Sequence, residues 1–144
     1  MPTADAQALA ERVAQSMYSR DTATQALGIR VVRVGPGTAE LAMAVRADML
    51  NGHEICHGGF IFTLADSAFA YACNSYNLNT VASGAAIEFT APARAGDVLT
   101  ARAHERQQAG RTGVYDVEVA NGRGETVALF RGKSYRIKGH LITE

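Results

Sequence analysis

Residues 51–60 read NGHEICHGGF, a stretch that offers two different chemistries. HEICH fits the pattern H-E-x-x-H, in which a helix sets two histidines one turn apart to hold zinc while the glutamate serves as a base. The glycines that follow offer another. Gly58 and Gly59 open a long apolar run, and the first amides of a helix lack an internal acceptor and carry about half a unit of positive charge. Glycine leaves that backbone open to close approach. Such a terminus suits a carbonyl oxygen that gains negative charge as its carbon is attacked.

The metal reading requires a helix, but HEICH is bracketed by Asn51-Gly52 and Gly58-Gly59, which predicts a loop. Only His104 and His140 remain as further histidines, in no ligand spacing, whereas a catalytic zinc takes three protein ligands. We therefore expect no metal. Cys56 beside His57 has the makings of a thiol nucleophile and its base. Buried inert cysteine is the commoner case, and no partner for the pair is identifiable.

The next run, FIFTLADSAFAYACNS, is predicted as a helix from its length, its Ala, Leu and Phe content, and its freedom from Pro and interior Gly. Between residues 60 and 73 nearly every position is apolar, the mark of a buried helix. The exceptions are Thr63, Asp66 and Ser67. Spaced i, i+3 and i+4, they share one stripe with Gly59 above and Ala70 below. A carboxylate on a core helix is either structural and hydrogen-bonded, or retained at a cost for chemistry. A position eight residues after Gly58 favours chemistry.

These residues need a scaffold, and the hydrophobic period supplies it. From Thr3, which suits an N-cap, to Tyr18, Ala6, Leu9, Val13 and Met17 recur at helical spacing. DTATQALG reads as a second short helix, capped by Asp21 and stopped at Gly28, so residues 1–27 form an N-terminal helical segment. The period then becomes two: Ala39, Leu41, Met43 and Val45 alternate with more polar neighbours after the GPG turn at residues 35–37. Strand patterns return in TVASGAAIEFTAPA, DVLTARAHER, GVYDVEVA and ETVALFRGKSYRIK, with NGRG a hairpin signal between the last two. The order is helix, two strands, long helix, four strands: an α+β arrangement in which one sheet covers one helix.

At 144 residues the chain is one domain's length, and residues 1–144 are read as a single domain. Fourteen basic and fourteen acidic side chains cancel, which disfavours nucleic acid or an anionic membrane as partner. No run approaches the ~18 apolar residues of a membrane span. Two cysteines make no disulfide framework, and the opening MPTADAQALAERV lacks a signal-peptide hydrophobic region. The expected setting is a reducing cytoplasm.

Taken together, MLNGHEICHGGFIFTLADSAFAYACNS, AGD at residues 95–97, GVYDVE and VALFRGKS closely resemble the PaaI-type thioesterases of the hotdog-fold superfamily, over about residues 26–138. The resemblance implies an antiparallel sheet wrapped around one long central helix, in dimers with shared active sites that pair again into tetramers. It implies hydrolysis of acyl-CoA thioesters, phenylacetyl-CoA and its ring-hydroxylated relatives among them, in aerobic phenylacetate catabolism, with no cofactor. It makes Asp66 the catalytic acid, Asn51 a positioning group, and Gly58, with His57 beside it, the source of the amide that polarises the carbonyl. Ser83 is a weaker carry-over as a substrate contact, and Gly59 and Thr63 flank the same site.

A thioester carbonyl is electrophilic and thiolate leaves readily, so the tasks left are to polarise the carbonyl and aim water, or Asp66 itself, at its carbon. The CoA phosphates call for cations. Arg131 and Lys133 fall on one face of the last strand, with Arg94 and Arg111 in loops, and solvated surface charge is the ordinary role of each. Two other readings share this fold: an acyl-thioester dehydratase or hydratase, which would carry a catalytic His that the long helix lacks, and a non-catalytic acyl-CoA-binding module, which has no need of the buried acid.

Overall fold

The computed structural model describes residues 2–144. Thr3 caps α1 (Ala4–Arg20), its hydroxyl accepting from the Ala6 amide at 3.1 Å. Asp5 in the first turn and Arg20 in the last complement the helix dipole. Ala10, Val13 and Ala14 form the buried face, laid against β1 (Arg30–Gly35). Asp21 then caps α2 (Thr22–Ala26), accepting from the Thr24 amide at 3.3 Å, while its other oxygen accepts from the Tyr71 hydroxyl at 3.2 Å. One carboxylate thus starts a helix and fastens the N-terminal segment to the core.

The remaining strands are β2 (Thr38–Ala44), β3 (Thr80–Phe89), β4 (Val98–Ala109), β5 (Thr112–Ala120) and β6 (Thr126–Arg136). They form a six-stranded sheet in the order β1-β2-β4-β5-β6-β3, antiparallel throughout. Ala39, Leu41 and Met43 turn inward as their alternation predicts. NGRG makes its hairpin, with Asn121 Oδ1 accepting from the amides of Arg123 and Glu125, each at 3.0 Å. The β4–β5 hairpin is tighter than the sequence suggests: β4 runs on to Ala109 and reverses through Gly110, at φ 58°, and Arg111. The polar run ERQQA hides that extension, because pairing, not alternation, holds it in the sheet.

α3 (Gly58–Cys73) packs across the sheet, chiefly on β2, β4 and β5. Aromatic rings set its position: Phe62 meets Phe130 edge-on with centroids 5.4 Å apart, and Phe69 lies between Phe130 at 5.8 Å and Tyr115 at 5.7 Å. Phe69 has room only because β6 carries glycine beneath it. A Cβ on Gly132 would stand 2.8 Å from the ring. Beyond the end of α3, the Tyr76 and Tyr115 hydroxyls both donate to Glu105 Oε1, at 2.9 and 3.0 Å.

The expectation of a helix buried all round needs correction. The sheet covers one side of α3; along the other, Gly59 is exposed and Thr63, Asp66 and Ala70 are half-buried. Beside this stripe runs β3, an edge strand exposed from Val81 to Ala86, with Phe89 at its end 52% exposed. Among the described residues no helix is long and apolar enough to cross a membrane.

The Gly132 seat makes a prediction. Gly132→Ala forces a methyl against the buried Phe69 ring, an overpacking that costs ~1–3 kcal/mol. Urea denaturation should show a loss of that size, recovered in part by adding Phe69→Leu. Unchanged stability in the single variant would mean that the ring moves freely and does not set the depth of α3.

Candidate active site

The HEICH segment is a loop, as its flanking turns require. Asn51 organises it: its amide donates to the Ile55 carbonyl at 2.9 Å, and its side-chain oxygen accepts from the amides of His53 at 2.9 Å and Ile55 at 3.4 Å. Glu54 takes a left-handed φ of 60°, so His53 and His57 are not on successive turns of a helix. No cluster of three or more metal-ligating side chains occurs among the described residues. The far end of the loop is fastened where the Cys56 amide donates to the Ala93 carbonyl at 2.7 Å and the His57 amide to the Met49 carbonyl at 2.8 Å. Burial pushes the Cys56 thiol up, away from the thiolate a nucleophile would need.

His57 is the N-cap of α3, but its side chain makes no capping bond. The amides of Gly58 and Gly59 therefore stand at a helix start with no acceptor from the cap and with the positive end of the dipole behind them. The two glycines differ in their surroundings. At Gly59 a Cβ would meet nothing, whereas at Gly58 it would lie 2.7 Å from Cζ of the Phe89 ring. Gly58 is thus required by a side chain of its own chain, and Gly59 is the open approach.

Two turns further along α3, Asp66 takes no hydrogen bond and no ion pair from the described residues. Burial alone raises its pKa above the ordinary 3.8. The neighbouring hydroxyls do not serve it: Thr63 donates to the Gly59 carbonyl at 2.9 Å and Ser67 to the Thr63 carbonyl at 2.7 Å. The acid is left with its lone pairs free on the uncovered stripe of the helix.

A cavity of about 600 Å³ lies at the start of α3, lined by Asn51, Ile55, Gly58, Ile61, Phe89 and Ala91 among others, and Asp66 is not part of its wall. Within one chain, the amide end and the acid occupy separate places. A larger cavity, about 860 Å³ between α1 and β1, holds none of the candidate residues.

The other sequence-based candidates fall elsewhere. Ser83 sits at a bulge in β3, where the register with β6 shifts, and donates to the Lys133 carbonyl at 3.2 Å. Arg131 and Lys133 do share an exposed face of β6, turned away from α3. Arg131 is already held by Asp116 through two bonds of 2.6 and 2.9 Å, and that pairing draws the Asp116 pKa down. Lys133 makes no ion pair among the described residues. Sequence reasoning missed Phe89: its contact with Gly58 joins residues far apart in the chain, and no local pattern announces it.

Comparison with known proteins adds to this geometry. The family model described as the thioesterase superfamily matches residues 53–128. The chain is 53% identical over 131 residues to the acyl-coenzyme A thioesterase PaaI of Escherichia coli, spanning 91% of this chain and 94% of that protein. It superposes on the structure of the E. coli PaaI protein from the phenylacetic acid degradation operon with a TM-score of 0.92 at 52% identity, covering 93% of this chain and 97% of the other. A variant of the phenylacetic acid degradation protein PaaI from Thermus thermophilus matches with a TM-score of 0.78 at 43% identity, covering 81% and 100%.

The raised pKa of Asp66 has a consequence for stability. The folded chain holds this proton more tightly than the unfolded one, so the group's favourable contribution is full below the unfolded pKa and is lost as pH rises through the raised value. Asp66→Asn should therefore stabilise the protein most near neutral pH, and the gain should fade below about pH 4. Thermal unfolding of both proteins at neutral and acid pH measures this. An equal gain at both would show that the carboxylate is not desolvated in the native state.

Proposed function

The chain belongs to the thioesterase superfamily and is an acyl-CoA thioesterase, and from that premise we propose that it hydrolyses phenylacetyl-CoA and ring-hydroxylated phenylacetyl-CoA at a site built by two subunits. The chemistry is carried by near full-length identity to an acyl-coenzyme A thioesterase. The names of the relatives from phenylacetic acid degradation support the aryl substrate. The single observation behind the shared site is the unpartnered Asp66 carboxylate on the one stripe of α3 that the sheet leaves uncovered.

In this reading the thioester oxygen accepts from the Gly58 amide, with the helix dipole stabilising the charge it gains. Water attacks the carbonyl carbon and gives its proton to Asp66, the C–S bond breaks, and CoA leaves as the thiolate. A carboxylate whose pKa is raised by burial is a better base than an exposed one, which favours the proton-accepting role over direct attack. Asn51, whose oxygen is engaged within the loop, has its NH₂ group left to orient the ester or the water. His57, Gly59 and Thr63 stand beside the approach at the start of α3, whereas Ser83, on β3 and bonded to the Lys133 carbonyl, lies apart from it. Lys133, unpaired, is a better partner for a CoA phosphate than Arg131, which Asp116 holds.

Distance argues for the second subunit. Eight residues separate Gly58 from Asp66, about 12 Å along a helix at ~1.5 Å per residue, while a carbonyl bonded to the Gly58 amide keeps its carbon within a few ångströms. Two α3 helices set antiparallel about a two-fold axis bring Gly58 of one subunit toward Asp66 of the other. The small residues of the open stripe allow close approach, and the exposed edge of β3 can pair with its own copy. Such dimers pair again into tetramers.

Asp66→Ala should lower the rate of thiol release from phenylacetyl-CoA by ~10²–10⁴-fold while the variant still binds CoA esters. Activity within a few-fold of wild type would make the acid structural.

Sharing is tested by co-expressing Asp66→Asn and Gly58→Pro subunits. In a mixed dimer one site carries both defects and the other neither, so random pairing should restore about a quarter of all sites. Activity no higher than either parent, with mixed dimers confirmed by mass, would show that each subunit works alone.

A further inference from the structure

Phe89 lies at the end of an edge strand, 52% exposed, with its ring tip against the backbone of Gly58. Exposure of a single apolar side chain is ordinary; what distinguishes Phe89 is that its ring also lines a concave, mostly apolar cavity. The wall is the cavity of about 600 Å³ at the start of α3, where Ile55, Ile61, Phe89, Ala91 and Ala93 supply apolar surface and Asn51 a polar group. Gly58, whose amide is read as the holder of the thioester oxygen, belongs to the same lining.

We propose that Phe89 is a specificity-determining residue: its ring forms the wall of an acyl subsite beside Gly58, where a flat aryl acyl group packs against it. This rests on the reading of Gly58 as the carbonyl-polarising amide. The geometry at Gly58 ties the two functions together. Because the ring occupies the space a Cβ on Gly58 would take, it stands at a fixed place beside the residue whose amide would hold the thioester oxygen. Alanines at 91 and 93 add only small side chains to the lining, which leaves width for a ring as well as for a chain. An aromatic wall favours a ring over an alkyl chain of similar area through edge-on or offset packing.

The test is the ratio of kcat/KM for phenylacetyl-CoA to that for butyryl-CoA, read by thiol release in wild type, Phe89→Ala and Phe89→Leu. Phe89→Ala should lower that ratio by about 10-fold, within the range of a lost apolar contact in a pocket, and Phe89→Leu should lower it less. Inhibition by free CoA should change little in either variant. Loss of activity on both esters by the same factor, together with weaker CoA inhibition, would assign the cavity to the pantetheine arm and overturn the proposal. So would an unchanged ratio in Phe89→Leu, which keeps apolar bulk and decides the matter if the alanine variant fails to fold. Wild-type protein that releases thiol from neither ester would instead overturn the reading of the site on which the proposal rests.

Discussion

Burial of one side of α3 against a single antiparallel sheet is the constraint from which the other features follow. The sheet must present small and aromatic side chains in the right places to receive a helix that is apolar everywhere but along one narrow stripe. Phe62, Phe69, Tyr115 and Phe130 interlock, and Gly132 leaves the gap that Phe69 fills. Because a sheet covers a helix from one side only, a stripe remains, and it carries the one acid of the helix. Asp66 stands half-buried on that stripe with no partner among the described residues, and its raised pKa reflects the desolvation this entails.

Two glycines in this protein are answered by two phenylalanines. Phe69 rests on Gly132 midway along β6, and Phe89 rests on Gly58 where α3 begins. The first contact sets how deep the helix lies; the second sets what stands next to its first amides. A motif that looks like an opening for ligand is therefore also a packing joint, and the open approach belongs to Gly59.

Much of this architecture is written locally in the chain. The Thr3 and Asp21 caps, the GPG and NGRG turns, the period-two run at residues 38–45 and the long helix from Gly58 each follow from neighbours in sequence. So does the decision that HEICH is a loop, since its bracketing glycines lie within a few residues. The opaque parts depend on strand register. Arg131 reads as a free cation until β5 brings Asp116 across from it. Nothing local to Glu105 announces that Tyr76, just past α3, and Tyr115, on β5, both donate to it. Phe89 reads as one more strand residue until the fold sets its ring on Gly58. Periodicity announces which face a residue takes and is silent about which residue it will meet.

The bulge at Ser83 bears on how an apolar edge behaves in a crowded solution. A straight strand such as β3, unpaired on its outer side and rich in Ala, Val and Gly, is a template onto which other extended chains can add without limit, the route to fibrils. The extra residue breaks the ladder between Ala82 and Gly84 and twists the edge there. The longest regular stretch left runs from Gly84 to Phe89. A ladder so short and bent is a poor template for open-ended addition of further chains, so the bulge guards the edge at the point where its composition would otherwise expose it.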